Sequence, residues 1–226
     1  MQNRNQRLIG LITVIMLSTM IVYVGASQKS YPQSQLTING AGATFPFPLI
    51  DTWRVAYQKV HHDVNINYQS IGSGEGVKQF TAKTVDFGAS DTPLTAEDLQ
   101  AAPDVIQIPE TIETVAVAYN IPGIPTKILK FTGPVLADIF LGKITKWNDP
   151  QIKTLNPGVN LPAANIVVIH RSDGSGTNYV WTSYLSSQSR SWNQTVGASK
   201  SVTWPTGIGV PDNEGVLMLS KDHQMR

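Results

Sequence analysis

The 226-residue sequence contains no cysteine, which excludes a disulfide scaffold, a thiolate metal site and a lipid-anchored N-terminal cysteine. Long apolar runs are almost absent: after Leu8 to Val24, none is long enough to cross a bilayer. Charge of either sign is scarce, with 17 Lys and Arg against 16 Asp and Glu. No basic stripe is available to neutralise phosphates, so a nucleic-acid partner is not expected. No Gly-Lys-Ser/Thr follows any glycine-rich turn, and no Gly-x-Ser-x-Gly elbow occurs. No group of His, Asp and Glu has metal-ligand spacing, so neither metal nor cofactor is expected.

The N-terminus is the first feature present. Arg4 and Arg7 precede the apolar run, and Val24-Gly25-Ala26 offers small residues before Ser27. Residues 1–26 therefore read as a secretory signal peptide, with an uncleaved anchor as the alternative. Their removal takes away two basic residues and no acid, leaving a net charge of −1. Export without disulfides is compatible with a bacterial periplasm.

Strands alternate with helices along the rest of the chain, which predicts an α/β architecture with largely parallel pairing. Strands are expected at 36–38, 64–68, 85–90, 105–109, 115–121 and 166–170. Leu49, Trp53, Ala56 and Val60 recur at helical spacing. Further helices are expected at 77–83, after Thr95 with its capping-box partner Asp98, from Thr132 to Leu141 with Gly142 as stop, and at 179–185. Two glycine turns lie early and one late, so residues 27–109 and 110–226 are read as two lobes.

Those turns are Gly40-Ala41-Gly42-Ala43-Thr44-Phe45, Gly72-Ser73-Gly74-Glu75-Gly76 and Arg171-Ser172-Asp173-Gly174-Ser175-Gly176-Thr177. Each follows a strand-like run and opens a helix, so free backbone N–H groups and a positive helix end point at one spot. Arg171 can donate two parallel hydrogen bonds to an oxyanion, with Asp173 placed to hold its guanidinium. Thr44, Ser73, Ser175 and Thr177 add hydroxyl donors. Asp91, after the strand at 85–90, is the discriminating residue. A carboxylate repels an anion that has no proton to share, by roughly 4 kcal/mol at about 4 Å and an effective dielectric near 20. Protonated phosphate passes that test and sulfate fails it.

Gly-Ala-Gly-Ala-Thr-Phe-Pro at 40–46, Ile-Gly-Ser-Gly at 71–74, Asp-Phe-Gly-Ala-Ser-Asp at 86–91 and Arg-Ser-Asp-Gly-Ser-Gly-Thr at 171–177 resemble the PstS family. These are the phosphate-binding proteins of bacterial ABC transporters. The segment 139–149 resembles it too. The resemblance implies a periplasmic-binding-protein-like fold whose two lobes close on inorganic phosphate about a hinge, for delivery to membrane permease subunits. By motif position it puts the ligand contacts on Thr44, Phe45 (through its backbone N–H), Ser73, Asp91, Arg171, Ser175, Gly176 and Thr177.

Two departures stand out. Glu75 lies in the second turn, where the family often has a small residue; it points either to solvent or into the site. After Gly215 the chain has eleven residues, while family members continue, so the resemblance implies a fold incomplete at its C-terminus with exposed apolar faces. Two other readings stay open: a truncated, non-functional remnant of such a protein, and an exported phosphatase or esterase using Ser73 or Ser175 as nucleophile. His170, beside Arg171, is expected to face away from the ligand, because neighbours on a strand point to opposite sides.

Overall fold

The computed structural model describes residues 35–125 and 128–222; the expected signal peptide, residues 1–26, lies outside them. Strand β1 (Leu36–Gly42) is the centre of a three-stranded sheet in the order β2-β1-β3. Its partners β2 (Val64–Ser70) and β3 (Phe87–Ala89) both run parallel to it. Close approach explains the glycines of β1. A side chain at Gly40 would collide with the Phe87 ring, and one at Gly42 with the Ala89 backbone.

The helices of this region begin where local chemistry stops a strand. Pro46 caps helix α1 (Phe47–Val60), with Pro48 in its first turn, where a missing N–H is harmless. Gly72, at φ 88°, turns the chain out of β2 into helix α2 (Ser73–Thr81). Helix α3 (Ala96–Ala101) starts at the expected capping box: the Asp98 N–H donates to Thr95 Oγ1 at 3.1 Å, and the Thr95 N–H to Asp98 Oδ2 at 2.9 Å.

A second region follows residue 128. Helix α4 (Gly133–Phe140) ends two residues before Gly142, whose φ of 72° suits the residue past the Leu141 cap. Helix α5 (Pro150–Leu155), strand β4 (Ile169–Arg171), helices α6 (Gly176–Gln188) and α7 (Arg190–Thr195), strand β5 (Ile208–Val210) and helix α8 (Asn213–Asp222) complete it. Strands β4 and β5 pair in parallel. Two apolar clusters fill the region, one around Ile139, Ile144 and Ile152, the other around Leu136, Leu185 and Trp192. Among the described residues no helix is long and apolar enough to cross a membrane.

The α/β pattern with parallel ladders is present, and several expected elements are corrected. Residues 105–109 and 115–121 are not strands: they have no ladder partner among the described residues, and Ile106 and Val117 are 82% and 41% exposed. Extended, β-branched sequence becomes a strand only where a neighbour supplies donors and acceptors. Residues 85–90 shorten to β3, and only 169–170 of the 166–170 run join β4. The helix expected at 77–83 starts at Ser73, so the second glycine turn is itself the first helical turn. Helix α1 does not bury the face of Leu49, Trp53, Ala56 and Val60. Its buried residue is Ile50, while Val60 is 72% exposed. Against the narrow sheet, Ile50 clusters with the small Ala43 and Ala89 and the part-buried Tyr68. Helix α7, strand β5 and helix α8 carry no signal that marked them in the sequence.

Candidate functional site

The three glycine turns meet. The carbonyl of Gly42, in the first, accepts from the N–H groups of Ile71 (3.0 Å) and Gly72 (2.8 Å) in the second. The Gly74 N–H donates to the Gly174 carbonyl of the third turn at 2.7 Å. Glycine is required at these approaches: a Cβ at Gly74 would lie 2.8 Å from the Gly174 carbonyl oxygen. A Cβ at Gly176 would lie 2.6 Å from Ser73 Oγ and 2.7 Å from Asp91 Oδ2. Residues 44, 73, 91 and 171–177, spread over more than half the chain, thus form one polar centre.

Arg171 is its hub, only 4% exposed. Its Nε and Nη2 donate to the two carboxylate oxygens of Asp173, as expected for a residue that holds the guanidinium. Its Nη1 donates to Thr44 Oγ1 at 3.2 Å and to Asn213 Oδ1 at 2.6 Å. Four of its five N–H donors are engaged by protein, and the fork expected to grip an anion grips Asp173 instead. An anion would be offered the remaining Nη2 donor, with Asp212 Oδ1 4.0 Å from that nitrogen, or would displace Thr44 or Asn213 from Nη1.

Ser73 and Ser175 are almost fully buried. Ser73 Oγ accepts from the Asp91 N–H at 3.1 Å. Ser175 caps helix α6, its Oγ accepting from the Asn178 N–H at 3.3 Å. The backbone N–H groups of Phe45 and Gly176 donate to no acceptor among the described residues. Burial raises the Asp91 carboxyl above its ordinary range, while the Ser73 hydroxyl, the Arg171 charge and the Thr177 N–H, which face it, pull the other way. Glu75 points to solvent, bonded by Lys78 Nζ at 3.2 Å. His170 lies flat on Trp204, ring centroids 4.5 Å apart, with Nδ1 3.1 Å from the Arg171 carbonyl oxygen.

Sequence reasoning missed several residues that hold the centre. Asn178 Nδ2 donates to the carbonyls of Arg171, Asp173 and Lys200, each at 3.3 Å, and so locks the third turn. The Tyr68 hydroxyl donates to the Ala43 carbonyl at 2.7 Å behind the first turn. Asn213, which binds Arg171 from 42 residues away, sits past the last motif in an unremarkable polar stretch. Glu113 lines a cavity of about 1240 Å³ that also borders Phe45, Arg171, Thr177 and Asn213, and none of its sequence neighbours flags it. Among the described residues, no three His, Asp or Glu side chains gather as metal ligands.

A family model for the PBP superfamily domain matches residues 27–219. The phosphate-binding protein PstS of Pasteurella multocida is 55% identical over 180 residues, 80% of this chain and 52% of that protein. PstS of Haemophilus influenzae is 52% identical over 180 residues, 80% of this chain and 53% of that one. PstS of Methanocaldococcus jannaschii is 42% identical over 210 residues, covering 87% and 54%. The chain spans about half the length of the curated relatives it matches. The crystal structure of a Clostridium perfringens protein with bound phosphate has a TM-score of 0.55 at 23% identity, over 83% of this chain and 67% of that one. At that identity the likeness carries the fold alone, the fold of a periplasmic binding protein. By the match over residues 27–219 the chain belongs to the PBP superfamily, and by its relatives to the PstS family within it.

Proposed function

We propose that this chain binds inorganic phosphate at the meeting of its three glycine turns, as the substrate-binding component of a phosphate ABC transporter. The observation that carries the reading is the convergence of Thr44, Ser73, Asp91 and Gly176 on the buried Arg171 turn. Phe45 and Gly176 contribute backbone N–H groups, Thr177 and Ser175 sit at the positive end of helix α6, and Asp91 accepts the proton that phosphate retains. The chemistry is capture: fixed donors replace the water of the anion, and no bond of the ligand is broken. The two lobes, with their boundary near residue 109, are the parts that close over it. Export through residues 1–26 brings the site to the periplasm, and the membrane permease subunits are the partners. The PstS relatives, each named a phosphate-binding protein, support the same reading.

Titration calorimetry of the purified chain with phosphate and with sulfate tests it. Phosphate is expected to bind tightly and sulfate weaker by up to about three decades, the repulsion of Asp91 expressed as affinity. Asp91→Asn is expected to relax that preference, and equal affinity for the two anions in the unaltered chain would refute the role given to Asp91.

One observation favours a second reading, in which the chain by itself does not bind. Residues 105–117 expose Ile106, Ile108 and Ile112, a liability for an isolated chain. A cooperative melt whose midpoint rises with phosphate counts against it. A nucleophilic role for Ser73 or Ser175 has less support. The imidazole nearest to Ser175 in sequence, His170, is committed to Trp204 and the Arg171 carbonyl.

A further inference from the structure

Glu113 stands on the unpaired stretch between α3 and α4, on the wall that the cavity shares with Phe45, Arg171 and Thr177. Its Oε1 is buried and finds no hydrogen-bond partner among the described residues. A buried acceptor in that state is costly when ionised, and much less so when the carboxyl carries its proton. Asp91 stands close enough to add repulsion. Burial first, and Asp91 second, push the Glu113 carboxyl up to about 7.

We propose that Glu113 is the proton-dependent donor of the anion seat. Its protonated carboxyl gives a hydrogen bond to a phosphate oxygen, and its ionised form repels the same anion. This inference rests on the phosphate reading above. It divides two acids into two roles. Asp91 is faced by the Ser73 hydroxyl, the Thr177 N–H and Arg171, which favour its ionised, accepting form. Glu113 has no such donor and keeps its proton longest.

The other charged groups fit this division. Glu110, on the same stretch, is raised by burial and then by Asp91, which adds negative field. Tyr68, on β2, is raised by burial and then by Glu110 and Asp91, so it stays neutral and donates to Ala43. The Arg171 charge is offset by the paired Asp173 and by Asp212 at 4.0 Å. Lys146 and His170 border the same cavity, and burial lowers the His170 ring toward its neutral form. Lys200 acts on Asp91.

Phosphate binding should then take up a proton at Glu113, and affinity should fall as pH rises through and above about 7. Phosphate titrates as well, so the test is a comparison. Calorimetry of inorganic phosphate with the full chain and with Glu113→Gln, a permanent donor, is run from about pH 6 to about pH 9 in buffers of different ionisation heat. Relative to the variant, the unaltered chain should lose about tenfold in affinity per pH unit above neutrality, and take up close to one more proton per phosphate. Infrared difference spectra of the unaltered chain give a check that does not depend on how the variant folds. Phosphate added near pH 8 should raise the protonated-carboxyl band. Matching pH profiles and proton uptake, or no such band, overturn this inference while leaving the phosphate reading intact. Binding by neither protein overturns both.

Discussion

The region around the three-stranded sheet and the region after residue 128 hold their shapes by different means. The first has a thin core of small residues, Ala43 and Ala89 packed with Ile50, and a helix α1 that leaves Trp53 and Val60 exposed. The second buries Leu185, Trp192 and Ile152 completely. Yet Thr44 and Ser73 of the first region meet the Arg171 turn of the second, because backbone hydrogen bonds join the glycine turns that carry them, and Asp91 follows through its N–H bond to Ser73 Oγ. Precision at this site comes from close backbone approach, and apolar burial supplies stability mainly in the second region.

The largest effect expected is that of Arg171→Met. It leaves the part-buried Asp173 without its partner and removes the cation of the seat. Stability should fall by about 3–5 kcal/mol in urea unfolding, and phosphate binding should vanish in calorimetry. The comparison of cores is sharpened next. Leu185→Ala should cost about 2–5 kcal/mol, while Ile50→Val should cost about 0.5–1.5. Equal costs per methylene removed would break the contrast between a thick and a thin core.

Gly176→Ala tests the turn contacts directly. Its new Cβ would lie 2.6 Å from Ser73 Oγ, so a penalty of about 1–3 kcal/mol is expected, with weakened phosphate binding. Gly123→Ala meets nothing within 4 Å but sits at φ 76°, so its cost reports backbone strain alone, to be set beside the collision at Gly176. The smallest effect is the pH dependence of stability. The raised Glu113 carboxyl means that the folded chain holds more protons than the unfolded chain between about pH 4.5 and about 7. Stability should therefore fall as pH rises through that window and level off above it. Solvent screening of a half-exposed group limits this to about 1 kcal/mol. Thermal melts should show the slope, and Glu113→Gln should flatten it.

Much of the local structure was legible because its causes are local. The Thr95 and Asp98 side chains cap α3 whatever else the chain does, and Gly142 ends α4 because it alone tolerates the backbone turn there. The glycine turns were legible as strand-to-helix connections for the same reason. Residues 115–121 misled because their β-branched pattern speaks for extended backbone, while a ladder also needs a partner. The buried side of α1 misled because hydrophobic spacing names an apolar stripe without naming what will cover it. The site was partly legible: Arg171 and Asp173 sit two residues apart and their pairing could be anticipated. Thr44, 127 positions from Arg171, and Asn213, 42 away, could not be assigned as its partners.

The sequence by itself determined which groups could handle an oxyanion: three glycine turns, one well-placed arginine and a carboxylate that discriminates by protonation. These follow from residue chemistry and from turn and helix-end geometry, which span a few residues. Only the tertiary structure decided that Thr44 and Asn213 engage the arginine, that Glu75 faces water and that Glu113 shares the cavity wall. Those outcomes depend on distance, burial and competition for a fixed number of N–H donors, which arise only when remote segments pack together.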